Sequence, residues 1–70
     1  MQTITKAVLP GPLHKGEWRL WGLDAMVACP RCGVTKVYAV WEIANDGGVA
    51  LKCLSCAFNE TVRLEGWTPG

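Results

Sequence analysis

Seventy residues suffice for one domain with a marginal core, because a chain of this size buries only about 60% of the surface that its unfolded form exposes. Seven Lys and Arg against six Asp and Glu give a formal net charge of +1, which leaves nucleic-acid binding without electrostatic support, and no stretch approaches the ~20 apolar residues that a membrane helix needs. Chains this small are ordinarily stapled by disulfides, a metal or oligomerisation, and here all four cysteines fall in two CxxC units.

The opening stretch MQTITKAVLPGPL lacks the unbroken apolar core of a secretory signal, so a reducing, cytoplasmic setting is expected and the sequon at Asn59 is read as chance. Within it, TITKAVL reads as an edge strand with Ile4 and Val8 on one side, and PGP, Pro10 to Pro12, as a turn. EWRLWGL admits a strand or a short helical turn. Trp18 and Trp21 would share a helix face but point opposite ways in a strand, and Gly22 close behind favours the strand. AMVA then leads into the first cysteine pair. VTKVYAVWEI, residues 34–43, is rich in β-branched and aromatic residues, and it alternates with Thr35, Val37, Ala39, Trp41 and Ile43 on one face. That pattern predicts a strand with Trp41 buried. NDGG, Asn45 to Gly48, supplies the positive φ values of a tight primed turn, so VALKC is expected to run back as the partner of 34–43. NETVRLE, from Asn59, predicts a third strand with Glu60, Val62 and Leu64 on one face, and WTPG a frayed end. The expected divisions are an N-terminal extension over 1–26 whose strands pack on the rest, a four-cysteine unit over 27–66, and a tail over 67–70.

Cys29, Cys32, Cys53 and Cys56 form two pairs separated by twenty residues, Gly33 to Lys52, which falls within the spacing of a four-cysteine zinc site. Zinc prefers a tetrahedron of thiolates at ~2.3 Å, and two intervening residues let one tight turn present two sulfurs to the same ion. Pro30 pre-sets one φ angle, and Gly33 frees the backbone to aim amide hydrogens at the sulfurs. Iron in the same ligand set is the weaker alternative. Two disulfides or a thioredoxin-like redox pair stand further back, the latter wanting a strand-helix-strand context that the chain lacks. Four thiolates around a divalent ion would lower the formal charge from +1 to −1. His14, the single histidine, is read as a loop residue, because an all-thiolate shell leaves no position for it, for water or for substrate. With no Ser-His-acid grouping and no paired carboxylates, a non-catalytic protein is expected.

CPRCG, a hairpin, CLSC and a following strand resemble the zinc ribbon family with its rubredoxin-like knuckles, over residues 27–64. The resemblance implies a small all-β, metal-stabilised domain with two knuckles, a β-hairpin and a third strand, to which this chain adds an N-terminal β extension. It implies a wide menu of roles, since zinc ribbons occur in transcription factors, polymerase subunits, ribosomal proteins, topoisomerases and small adaptors. Family knuckles often carry glycine after the second cysteine of both pairs. Ala57 stands there in the second pair, which predicts a less regular knuckle.

Trp18, Trp21 and Trp67 each bring ~150–250 Å² of surface. Either they build a second small core with the extension, or they stay exposed and bind. In the second case Trp18, Arg19, Trp21, Arg31 and Trp67 are the candidate partner-binding residues, because tryptophan and arginine dominate binding hot spots. Two functions follow. One is an interaction module that binds a larger protein assembly such as transcription machinery, or pairs with itself, through an apolar aromatic surface. The other is a single-stranded nucleic-acid binder that stacks bases on Trp and Tyr38 and meets phosphates with Arg19, Arg31, Lys36 and Lys52. Near-zero charge favours the first. Rubredoxin-like electron transfer through iron is a third reading.

Overall fold

A computed structural model describes residues 2–68, in which six short strands form one curled sheet. The strands are β1 (Gln2–Lys6), β2 (Glu17–Trp21), β3 (Asp24–Ala28), β4 (Thr35–Ala39), β5 (Gly48–Lys52) and β6 (Asn59–Leu64), with a single 3-10 turn at Val40–Glu42. Their order in the sheet is β4-β3-β2-β1-β6-β5. β1 pairs parallel with both β2 and β6, and every other pairing is antiparallel. The domain is therefore small and all-β. Among the described residues no helix is long and apolar enough to cross a membrane.

Strand alternation decides what is inside. Along β2, Trp18 is 1% exposed and Trp21 is 70% exposed, the opposite orientations that an extended chain imposes on residues three apart. Val49 and Leu51 of β5, and Val62 and Leu64 of β6, enter the core, while Ala50 and Arg63 stay outside; Glu60, expected beside Val62, is exposed at the start of its strand. Ile4, Val27 and Phe58 complete the interior around Trp18. Trp67 belongs to this assembly: its ring lies 5.7 Å from that of Trp18, centroid to centroid. The remainder of the expected frayed tail, residues 69–70, lies outside the described residues.

Three expectations are corrected by this topology. First, β1 is not an edge strand. It sits between β2 and β6, with Ile4 fully buried, and it ends at Lys6, so Val8 belongs to the following loop and is 88% exposed. Second, the Asn45–Gly48 turn forms, with Ala44 donating to the Gly48 carbonyl and Gly47 to the Ala44 carbonyl, but the segments flanking it do not pair. β4 pairs with β3 and β5 pairs with β6. Gly47 is needed there for a second reason: at φ +90° its backbone passes so close to β6 that a Cβ would lie 2.7 Å from the Leu64 carbonyl oxygen. Third, the strand expected over 34–43 ends at Ala39. A Glu42 carboxylate oxygen accepts from the Ala39 amide at 2.9 Å and winds the chain into the 3-10 turn, so the expected alternation stops. Tyr38 points inward instead of Val37, and Trp41 is 78% exposed.

β4 and β5 are the first and last strands of the order, yet they meet. The Lys52 amide donates to the Tyr38 hydroxyl at 3.4 Å, and the Lys36 ammonium donates to the Lys52 carbonyl at 3.1 Å. Side chains, not a backbone ladder, close the curl. Burial pushes the Tyr38 phenol above its usual pKa, so it stays protonated across the physiological range. Tyr38→Phe removes one bridge and leaves the Lys52 amide without that acceptor, which is expected to cost about 1 kcal/mol, read as a lower thermal midpoint. An unchanged midpoint would mean that this bridge carries nothing.

Candidate metal centre

Both cysteine pairs lie in hairpin turns at the same end of the curled sheet. The first joins β3 to β4 and the second joins β5 to β6, so each edge of the sheet delivers one pair. The four sulfurs all lie within 4.8 Å of one another. Across the pairs, Cys29 and Cys56 are 3.5 Å apart at sulfur and Cys32 and Cys53 are 3.3 Å apart. A tetrahedron of sulfurs at ~2.3 Å from a central zinc has edges of about 3.8 Å, so the spacing fits one ion and is far from the ~2.05 Å of a disulfide.

The two turns are built alike. In each, the first cysteine amide donates to the carbonyl five residues on, Cys29 to Val34 at 2.9 Å and Cys53 to Phe58 at 2.8 Å. The Arg31 amide donates to the Cys29 sulfur at 3.4 Å. Other backbone amides of the turns favour charge on sulfur as well, that of Cys32 at Cys29, those of Ser55 and Cys56 at Cys53, that of Val34 at Cys32 and that of Phe58 at Cys56. Such amides stabilise charge on sulfur, which a thiolate ligand requires. Ala57 makes the second knuckle less regular in one respect: among the described residues it makes no counterpart of the 2.9 Å bond that the Gly33 amide donates to the Cys29 carbonyl. It adopts φ +60° where Gly33 of the first knuckle adopts +82°, and it is the only non-glycine residue with positive φ among the described residues. The left-handed region costs an L-residue about 1–2 kcal/mol. Ala57→Gly is therefore expected to stabilise the metal-loaded protein by about 0.5–1 kcal/mol after glycine's extra unfolded-state entropy is subtracted. The thermal midpoint should rise by several degrees, and a fall would contradict the assigned conformation.

Charge on the cluster is divided. At Cys29, burial opposes ionisation, but the amides of Cys32 and Arg31 and the neighbouring thiols bring the pKa down to about 6. Cys53 is also lowered, first by the Cys32 thiol and then by backbone amides. Cys56 is pushed up to about 12, by burial first and then by the three sulfurs around it, while Cys32 is raised by its contact with Cys53 against the pull of the Val34 amide. Four thiolates cannot share this space unless a cation joins them, and the four cysteines are positioned to bind a metal ion. Metal and protons compete for the same sulfurs. Cys56 keeps its proton at neutral pH and must lose it on binding, whereas Cys29 has a proton to lose only as pH falls through about 6. Metal affinity is thus expected to decline with falling pH and to decline more steeply below about 6, as read by chelator competition between roughly pH 5 and 8. A flat profile would contradict the thiolate assignment.

The chain matches no protein-family model, no curated protein and no solved structure. Its site is therefore read from its own geometry.

The remaining candidate residues are not brought together. Trp18 is corrected outright: it is buried, with its indole nitrogen donating to the Glu65 carbonyl at 2.9 Å, and it cannot meet a partner in the folded state. The Arg19 guanidinium holds the β1–β2 loop through the Leu9 and Gly11 carbonyls at 2.6 Å each. Arg31 is exposed in the first knuckle, Trp21 is exposed at the far end of β2, and Trp67 is half-buried against Trp18. Tyr38, offered as a stacking platform, is buried with its hydroxyl engaged at the closure. Trp41, Leu23 and Leu54 were not anticipated as surface residues, yet they are 78%, 75% and 97% exposed. For Trp41 the signal was present in AVWE, whose glutamate returns to cap the Ala39 amide. Leu23 and Leu54 fall in short turns, where periodicity says nothing about facing.

Proposed function

We propose that this protein is a non-catalytic module built around one structural zinc ion and that it acts by binding a protein in a larger assembly, in the cytoplasm. The observation that carries this reading is the cysteine cluster, in which two knuckles from opposite sheet edges offer four sulfurs and, among the described residues, no further His, Cys, Asp or Glu ligand in the group. A closed thiolate shell suits a structural ion, since it reserves no position for a reacting molecule. Kinship with the zinc ribbons belongs to the same reading. The knuckles support it, although here the strands between the pairs do not form one hairpin. Exposed Trp21, Leu23 and Trp41 on so small a domain support the interaction role, because large apolar groups left in water mark contact surfaces.

Metal analysis with native mass spectrometry should find one zinc per chain in a colourless protein. Red protein carrying iron would replace this reading by electron transfer. Affinity capture from host lysate, with and without nuclease, tests the interaction half. Retention of a protein partner after nuclease is the expected result, and loss of all partners on nuclease treatment would favour the nucleic-acid alternative.

A further inference from the structure

A sheet with one face on the core ordinarily shows water a polar face, and half of this sheet does so. Thr3 and Thr5 of β1, Thr61 and Arg63 of β6 and Lys52 of β5 occupy the outward positions there, and all are exposed. The β2–β3–β4 half departs from that rule. Its outward positions, opposite one another in the ladder, are Arg19, Met26 and Val37 in one row and Trp21, Asp24 and Ala39 in the next. Trp21 and Val37 are exposed and Met26 is half-buried between their strands. Along β3, Ala25, Met26, Val27 and Ala28 are apolar on both faces, the pattern of a strand covered from both sides. Arg19, Trp21, Asp24, Met26 and Val37 together line a hollow of about 390 Å³ on this surface.

Charge indicates what covers it. The charged groups lining the hollow are one cation and one anion, Arg19 and Asp24, on one diagonal of neighbouring strands, with Trp21 and Met26 on the other. The Arg19 guanidinium gives one N–H each to the Leu9 and Gly11 carbonyls, which leaves further donors for an acceptor. Glu17, the next outward position along β2, has its carboxylate on the His14 amide. Such a pattern is its own complement. A second copy turned over about a two-fold axis along the Trp21–Met26 diagonal sets Asp24 of each copy against Arg19 of the other, while the tryptophans and methionines meet near the axis. A formal charge of +1, or −1 with four thiolates on a divalent ion, gives two copies little to repel them.

We infer that the chain pairs with a second copy of itself through this outer face of β2, β3 and β4, with an apolar centre flanked by two Arg19–Asp24 ion pairs. Leu23 and Trp41 line a different hollow, so the contact goes beyond the interaction reading and leaves those residues to another partner. So small a face belongs to the low end of interface sizes, and the pair is weak.

Sedimentation velocity on the metal-loaded chain tests this. A monomer is expected at about 5 µM, and a species of twice the 7.6 kDa chain mass at about 500 µM. Amide shifts that move with concentration should centre on Trp21, Met26 and Val37 and spare the knuckles. Trp21→Glu and Asp24→Arg should each stay monomeric at the higher concentration. Arg19→Asp should do the same, and an equimolar mixture of Arg19→Asp with Asp24→Arg should dimerise again, because across the two-fold each copy then meets opposite charge. Arg19→Asp also frees the β1–β2 loop, so its amide dispersion is checked first; should it misfold, the other two variants still decide. A wild type monomeric at about 500 µM, shifts centred elsewhere, dimeric Trp21→Glu or Asp24→Arg, or a mixture of folded variants that fails to pair would each overturn the inference. Capture of a partner from lysate is independent of these outcomes, so the two readings fail separately.

Discussion

Cys53→Ser is expected to leave the chain largely unfolded, and the same outcome is expected when the wild type is stripped of metal by a strong chelator under reducing conditions. Structural zinc contributes roughly 10–16 kcal/mol of binding free energy in small metal domains at neutral pH. Domains of this class have total stabilities of about 5–15 kcal/mol, so the ion's contribution is comparable to the whole. The topology says why the loss would be global. Cys29 and Cys32 belong to the β3–β4 turn and Cys53 and Cys56 to the β5–β6 turn, which lie toward opposite edges of the sheet order. Without the ion, the cross-edge links at that end among the described residues are the Tyr38 and Lys36 bridges to Lys52, the contacts between the thiols and the apolar packing around Cys29 and Cys53. Serine offers a harder, scarcely acidic oxygen and also leaves a buried polar atom without its ligand role. Loss of amide dispersion in the nuclear magnetic resonance spectrum, restored in the wild type by added zinc, would confirm the dependence. Native-like dispersion in Cys53→Ser would show that the sheet closes by itself.

The second large effect is expected at Trp18. Trp18→Ala should cost about 3–5 kcal/mol, because it empties the largest fully buried side chain and withdraws the donor to the Glu65 carbonyl. Trp67 would lose its packing partner at the same time. At this chain length each kcal/mol moves the thermal midpoint by about 4–8 °C, so the drop should exceed about 12 °C in the metal-loaded protein. Trp21→Ala, three residues along the same strand but 70% exposed, should stay within about 0.5 kcal/mol of wild type. A comparable loss at both positions would mean that the facing of β2 is wrong.

These two tryptophans also show what a sequence of this kind makes legible. EWRLWGL by itself admits a strand or a helical turn and only Gly22 tips it towards the strand, but once Glu17–Trp21 is extended the opposite orientations of the two tryptophans come with it. The cysteine cluster was equally readable, because the spacing of each CxxC is a property of one turn. What could not be read is which strands pair. Asn45–Gly48 makes the turn that its glycines demand, yet a turn signal does not say that the segments on either side reach each other, and Glu42 had already ended the incoming strand. The placement of β1 between β2 and β6 is a long-range choice driven by burying Ile4, invisible in five residues of alternating polarity. Ala57 illustrates the converse: the knuckle's hydrogen bonds and its metal geometry outweigh the backbone preference of a single residue.

The central claim is that one ion is clasped by sulfurs from both edges of a curled sheet, and X-ray absorption at the zinc edge tests it most directly. The account predicts four sulfur neighbours at about 2.3 Å and no lighter atom in the shell. A shell containing nitrogen or oxygen, or fewer than four sulfurs from one chain, would contradict it.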